Sequence, residues 1–328
     1  MLSVVGVGHS YGDVVIDNSF IEGLNIGTSA DWILEKIGIS CRRVTLPLNY
    51  IVEERNQDPS KAIKVRTKSW LDLAEEAIKM ALKRASLDIE SINLAIIDCV
   101  TPDTFYPAPS KVLQDRLNAS GIFIDVTTAC PAVALHSHFV NLMNFDNLPE
   151  YILCVTSATV SQTVDYNDRA DGAIWGDGAA AMILSKSNSG KLRVLHTSFD
   201  ADTTRADSVI IERFGHFRQD GRGVRNFSVR QTVRMIKEIR EKFNLDFNKD
   251  IFIGHQANNT MLDQIAEACD IPDSNHWRNV KFCGNQAAAG ALASLSEKWD
   301  LIQPSQRILI AVLGAGLTWG TLLLEANT

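Results

Sequence analysis

The strongest constraint on this chain is an order of elements that occurs twice. Residues 122–127 form an apolar run of strand length that leads into a small-residue helix after Cys130. Residues 280–282 read as a strand that leads in the same way into Gln286-Ala-Ala-Ala-Gly-Ala-Leu-Ala. Later in each half, a strand over 151–157 and then Gly176-Asp-Gly-Ala-Ala-Ala-Met-Ile-Leu184 are matched by a strand over 307–313 and then Gly320-Thr-Leu-Leu-Leu324. Helical stretches fall between strands: Trp70, Leu71, Ala74, Ala77, Ile78, Ala81 and Leu82 share one face at helical spacing. Pro107-Ala-Pro-Ser opens another, where proline suits the first turn. Alternation of this kind specifies an α/β fold, and the duplicated order predicts two similar halves. The polar stretch Lys186-Ser-Asn-Ser-Gly-Lys191 has linker composition and divides the chain into residues 1–187 and 188–328.

Composition narrows the function classes. The 328 residues are 45% apolar and 22% charged, as in ordinary globular enzymes. A net charge of −7 supplies no field to attract nucleic acid. The N-terminus has no basic region and no small-residue cleavage site, so no signal peptide is expected. Cys41, Cys99, Cys130, Cys154, Cys269 and Cys283 have no paired spacing and read as reduced thiols in a cytoplasmic protein. Residues 308–324 are uncharged, but the run falls short of the roughly 18–20 residues of a spanning helix. Gly314, Gly316 and Gly320 interrupt it, so two buried strands joined by a turn are expected rather than a membrane span.

Some apparent signals carry little. Gly6-Val-Gly8 imitates a dinucleotide fingerprint, but Tyr11 stands where the third glycine belongs. His136 and His138 point in different directions on a helix, and Cys269, His276 and Cys283 lack zinc-site spacing, so no metal is implied. Asp98, Asp103 and Asp165 read as strand-end acids with no paired-carboxylate role. Residues 226–243 read as an amphipathic helix carrying part of a basic region.

Three residues point to chemistry together. Cys130 follows a strand and precedes Pro131, which places its thiol at a helix start, where the dipole favours a thiolate. His255 and Asn285 lie at two further strand-to-helix junctions, and the crevice beyond strand ends is where α/β sheets bind ligands. Taken singly, each has a bland reading as a buried thiol, a satisfied turn residue or an N-cap.

On these residues, and on Thr28-Ser-Ala-Asp-Trp-Ile33, Gly38-Ile39, Asp168-Arg169, Gly176-Asp-Gly-Ala-Ala-Ala181, His255-Gln-Ala-Asn258, Gly284-Asn285 and Gly316-Leu-Thr-Trp-Gly320, the chain resembles the β-ketoacyl-ACP synthase III branch of the thiolase superfamily from end to end. The resemblance implies a thiolase-like, five-layered αβαβα fold built from two pseudo-repeated halves, usually as a homodimer. It implies Cys130 as nucleophile, with His255 and Asn285 as the pair that stabilises an enolate. Backbone N–H groups of Cys130 and Ala315 would form the oxyanion hole, Trp32 and Arg169 would flank the adenine of coenzyme A, and Tyr106 would reach into the partner's acyl pocket. The implied substrates are acyl-CoA and malonyl-CoA or malonyl-ACP, with no permanently bound cofactor.

The chain departs from the family pattern at three places. Pro131 replaces a small residue after the cysteine. Ala315 replaces the middle glycine of a Gly-Gly-Gly run, which adds strain if that position needs positive φ. The helix after His255 carries Asp263 and Glu267 where the family has basic residues for an acyl carrier protein, so Arg230 and Arg234 are the expected docking residues instead. The expected activity is decarboxylative Claisen condensation, within a specialised fatty-acid or polyketide-type pathway. The alternatives are plain acyl transfer to an oxygen, nitrogen or sulfur nucleophile, and a non-catalytic subunit of a heteromeric synthase.

Overall fold

Small residues let one helix lie unusually close to the sheet. Trp70–Ala85 (α1) starts at a reciprocal cap, in which Ser69 Oγ accepts from Asp72 N–H and the Asp72 carboxylate accepts from Ser69 N–H. Trp70, Leu73, Ala74, Ala77, Ile78, Ala81 and Leu82 are its buried face, with Leu73 in place of the expected Leu71, which is only partly buried. Each large apolar side chain buried here contributes about 1.5–3 kcal/mol. The helix rests on Ser3–Tyr11 (β1), where a Cβ at Gly8 would stand 2.0 Å from the Ala77 carbonyl oxygen. The glycines of Gly6-Val-Gly8 therefore serve helix-on-sheet contact and not a phosphate.

The computed structural model describes residues 1–187, 190–213 and 215–327. After β1, the large sheet contains Leu94–Cys99 (β2), Ile122–Asp125 (β3), Tyr151–Thr159 (β4), Asp177–Ser185 (β5), Leu192–Ala201 (β6), Ile251–Gly254 (β7), Arg307–Gly314 (β8) and Thr318–Ala326 (β9). Their spatial order is β7-β8-β9-β6-β1-β5-β4-β2-β3. On one side of the centre, β1, β5 and β4 pair antiparallel and β4, β2 and β3 pair parallel. On the other, β6, β9 and β8 pair antiparallel and β8 and β7 parallel, which repeats the same order. The halves meet where Ser3 and Val4 of β1 pair with Arg193 and Leu192 of β6. A division between 187 and 188 runs into residues 188 and 189, which lie outside the described residues.

The layers are αβαβα. Helix α1 covers β1, β5 and β4 on one outer face. Ala132–Leu142 (α2) touches β4, β6, β8 and β9, whereas Gly290–Glu297, the last helix of the central layer, touches β1, β5 and β7. These two helices lie between the half-sheets and close the largest apolar cluster. Gly221–Phe243 (α3) packs on β8 and on Asn259–Ala268 (α4) at the other outer face. The uncharged run 308–324 forms β8 and β9, an antiparallel pair. Among the described residues no helix is long and apolar enough to cross a membrane.

Two expected strands change. The expected strand at 280–282 is instead a helical turn, Val280–Cys283, because Gln256 Oε1 accepts from the N–H groups of Asn279 and Val280 and curls the chain there. The counterpart of β3 shrinks to one parallel bridge between His276 and Phe252 of β7. The other change is that β3 stops at Asp125 rather than Thr127, and residues 126–131 form a loop.

Candidate active site

The loop that carries Cys130 is held from below. Asp98, near the end of β2, accepts at Oδ2 from Thr128 N–H (2.6 Å) and Ala129 N–H (3.0 Å). Ala129 sits at φ 57°, a left-handed conformation that turns the chain into Cys130 and then into Pro131, which caps α2. The expectation of a helix-stabilised thiolate is not met. Burial pushes the Cys130 thiol up to about 12, the Asp98 charge adds to it, and the backbone N–H opposes only part of the shift. At rest Cys130 is a thiol.

His255 follows β7 directly and is 8% exposed. Burial lowers its pKa to about 4, so the ring is neutral near pH 7, and Nδ1 has no partner among the described residues. Asn285 joins the halves of the site through its backbone: its N–H donates to Ile174 O and its carbonyl accepts from Gly176 N–H, both at 2.9 Å. Its side-chain oxygen accepts from Ala287 N–H at 2.9 Å. That bond fixes the amide orientation and leaves Nδ2 as the donor with no partner among the described residues. The capping role and the chemical role are therefore compatible, because they use opposite ends of one amide.

The turn at Ala315 abuts Cys130. A Cβ at Gly314 would lie 2.7 Å from Cys130 Cβ, so glycine is what lets the two loops touch. Thr318 Oγ1 donates to Ala315 O (2.7 Å) and lies 3.2 Å from Thr128 Oγ1, which ties the two loops together. The strain anticipated at Ala315 does not arise, since the positive-φ residue of this turn is Gly316 (φ 120°). Cys130, His255, Asn285 and Ala315 line one cavity of about 550 Å³, which Trp32 also lines.

The family model for 3-oxoacyl-[acyl-carrier-protein] synthase III matches residues 124–203, and the model for the C-terminal part of that protein matches residues 246–326. β-Ketoacyl-[acyl-carrier-protein] synthase III of Porphyra purpurea is 29% identical over 98% of this chain and 98% of its own. That of Aquifex aeolicus is 27% identical, again over 98% of each chain. The crystal structure of the 3-oxoacyl-[acyl-carrier-protein] synthase III from Aquifex aeolicus matches with a TM-score of 0.85 at 26% identity, over 99% of this chain and 100% of that one. This chain is a β-ketoacyl-ACP synthase III-like condensing enzyme of the thiolase superfamily. The readings as a plain acyltransferase and as a non-catalytic subunit are not favoured.

Within the synthase III-like enzyme, the expected residues fall into two groups. Trp32, Cys130, His255, Asn285 and Ala315 come together in the cavity. Arg169 stands beside it: its guanidinium carbon lies 5.2 Å from the Trp32 ring centroid and Nη1 donates to Gly27 O at 2.8 Å. Tyr106 is 90% exposed and outside the cavity. Arg230 and Arg234 lie along α3, which contributes Gly221, Val224, Arg225 and Ser228 to the cavity, but neither arginine lines it. Arg234 is held by Glu238 at 2.7 Å, and Arg230 donates to Asn226 O at 3.3 Å.

Sequence reasoning passed over three acids. Asp98 reads in the sequence as an ordinary strand-end acid, yet it anchors the loop that carries Cys130. Asp171 lines the cavity, with burial first and Asp168 second raising its carboxyl to about 6. Asp177 is fully buried and accepts from both N–H and hydroxyl of Thr45 and of Ser161, tying those two segments to β5 behind the site. An acid inside a strand of buried apolar residues, as in Leu94–Cys99, is the signal that marks such a position.

Proposed function

We propose that the condensation runs through Cys130 as a covalent acyl carrier, with His255 and Asn285 serving the second half-reaction. The Cys130 sulfur attacks the carbonyl carbon of an acyl-CoA; the bond to the coenzyme A sulfur breaks, and the thiol proton ends on the departing coenzyme A thiolate. Neutral His255 is suited to carry that proton, since burial keeps it from being charged beforehand. The tetrahedral oxygen is held by the backbone N–H groups of Cys130 and Ala315. A malonyl thioester then loses CO2, and the electron pair of the broken bond forms an enolate. Asn285 Nδ2–H and the His255 ring donate to the enolate oxygen. The carbanion attacks acyl-Cys130, the bond to the Cys130 sulfur breaks to release a β-ketoacyl thioester, and the thiolate left behind takes a proton from solvent to return to the thiol.

The observation that carries this reading is the Asn285 amide. Ala287 N–H holds its oxygen, which orients the amide with Nδ2 as the unpartnered donor that enolate stabilisation requires.

Coenzyme A is the proposed carrier of the acyl group, its adenine entering between Trp32 and Arg169 after these part from their mutual stacking. The extender is a malonyl group on coenzyme A or on an acyl carrier protein docking at Arg230 and Arg234. A homodimer is proposed in which Tyr106 enters the partner's acyl pocket; in the single chain Phe105 and Tyr106 are exposed, apolar and adjacent. Incubation with a panel of acyl-CoAs, followed by intact-mass measurement, tests the nucleophile. The adduct should form in the wild type and vanish in Cys130→Ala, whereas an adduct that persists in the variant refutes the assignment. Addition of malonyl-CoA or malonyl carrier protein should then release CO2.

A further inference from the structure

Asp98 is the buried group that the mechanism leaves unused. It lies on β2 between Ala95, Ile96, Ile97 and Cys99, is 0% exposed, and would be replaced at no cost to packing by an apolar residue if the strand were its only role. Its Oδ1 has no partner among the described residues, and a buried carboxylate that is only half satisfied is destabilising. Its Oδ2 gathers the two N–H groups just before the nucleophile, one from Ala129 at φ 57°. A non-glycine residue held left-handed is strained, and the two bonds to Asp98 offset that strain.

We propose that Asp98 is a positioning residue for Cys130, holding the turn from which the thiol projects. The rest of the loop is fixed independently: Val126 N–H bonds to Ile97 O at 2.9 Å, and Val126 O meets the His136 ring at 2.9 Å. Between that anchor and α2, Asp98 supplies the side-chain acceptor for the backbone at 128–129. The titratable groups around it are Cys99 on its own strand, Cys130 on the loop, Asp125 at the end of β3 and His136 on α2. Asp125 is engaged by Ser110, whose N–H donates to it at 3.0 Å, and burial keeps His136 neutral, so among the described residues no cation neutralises Asp98. Burial raises the Asp98 carboxyl to about 7, so above that pH its charge also bears on the thiol directly.

The proposal rests on Cys130 being the acylated residue, and the test separates the two ideas. Asp98→Asn keeps an oxygen for both N–H groups and removes the charge; Asp98→Val removes both. In Asp98→Val, kcat should fall by about 10²-fold, the scale of a misplaced reacting group, with KM for acyl-CoA unchanged. Asp98→Asn should recover most of kcat. Iodoacetamide labelling of Cys130, read by peptide mass across pH, should show a midpoint moved to lower pH in Asp98→Asn. Wild-type kcat in Asp98→Val overturns the proposal. So does an Asp98→Asn labelling profile that superimposes on the wild type, and this second arm decides the matter if Asp98→Val does not fold. No acyl adduct on wild-type Cys130 refutes the nucleophile reading and the proposal with it; an adduct in the wild type alongside unaltered variants refutes the role of Asp98 alone.

Discussion

Asn285→Asp is the most discriminating perturbation of the site. The side chain is 4% exposed, its oxygen is fixed by Ala287 N–H, and its nitrogen is the free donor. Aspartate keeps an oxygen for Ala287, so the loop and the backbone bonds to Ile174 and Gly176 should survive. What disappears is one hydrogen-bond donor to the enolate oxygen. Loss of a single preorganised donor of this type costs roughly 10²–10³ in kcat, or about 2.7–4 kcal/mol. A carboxylate facing a developing oxyanion adds repulsion to that loss, so the lower figure is a floor. The acylation half-reaction makes no enolate and should be unaffected. Mass-resolved acylation of Cys130 by acyl-CoA, measured beside CO2 release from the malonyl donor, separates the two steps. An Asn285→Asp enzyme that releases CO2 at close to the wild-type rate would refute the donor role; parallel loss of acylation and condensation would show a general distortion.

Other outcomes follow from the same structure. Trp32→Ala should raise KM for acyl-CoA by about tenfold, from a lost stacking contact of about 1–2 kcal/mol, and leave kcat alone; the effect should disappear with a short thioester that lacks adenine. Gly8→Ala would set a methyl 2.0 Å from Ala77 O, so α1 must lift off the sheet. Urea melts should register a loss of about 1–3 kcal/mol or more, and an unchanged midpoint would contradict the close contact. Acid should weaken the fold through its buried histidines. Burial lowers His136 and His255 to about 4 and His276 to about 3, against 6.5 in the open chain. At these rings the unfolded chain binds protons that the folded one refuses, so their contribution falls as pH drops from 6.5 toward about 4, by at most about 3 kcal/mol for a group shifted that far. Asp98 and Asp171, raised by burial to about 7 and about 6, take up protons on folding and oppose it. The histidine share is read as the difference in acid-induced midpoint shift between the wild type and His276→Gln, and no difference would show that this ring is hydrated in solution.

The parts of the site that were legible in the sequence share one property: the evidence for them is local. Cys130 and His255 each follow a strand that gives way to a loop or turn, and strand ends of one sheet converge whatever lies between them; Asn285 comes by the same reasoning although the apolar run before it is a helical turn. The duplicated order of strands was legible for the same reason. The misreadings all require a distant partner. Residues 280–282 are apolar and short, and nothing nearby reveals that Gln256, more than twenty residues earlier, turns them helical. Cys130 looked acidic because a helix start is visible in sequence, whereas the desolvation that outweighs it comes from the whole cavity. Asp98 looked ordinary because its partners are backbone N–H groups some thirty residues on. Tyr106, Arg230 and Arg234 fall outside the cavity for a related reason: their proposed partners are on other chains, so no folding of this chain alone can bring the contacts together. The cost of burying Cys130 as a thiol also has a functional direction. If Cys130 is the nucleophile proposed above, staying protonated until a thioester fills the cavity makes it react with what enters there rather than with every electrophile in solution, and neutral His255, which lines the same cavity, is the proposed acceptor of that proton.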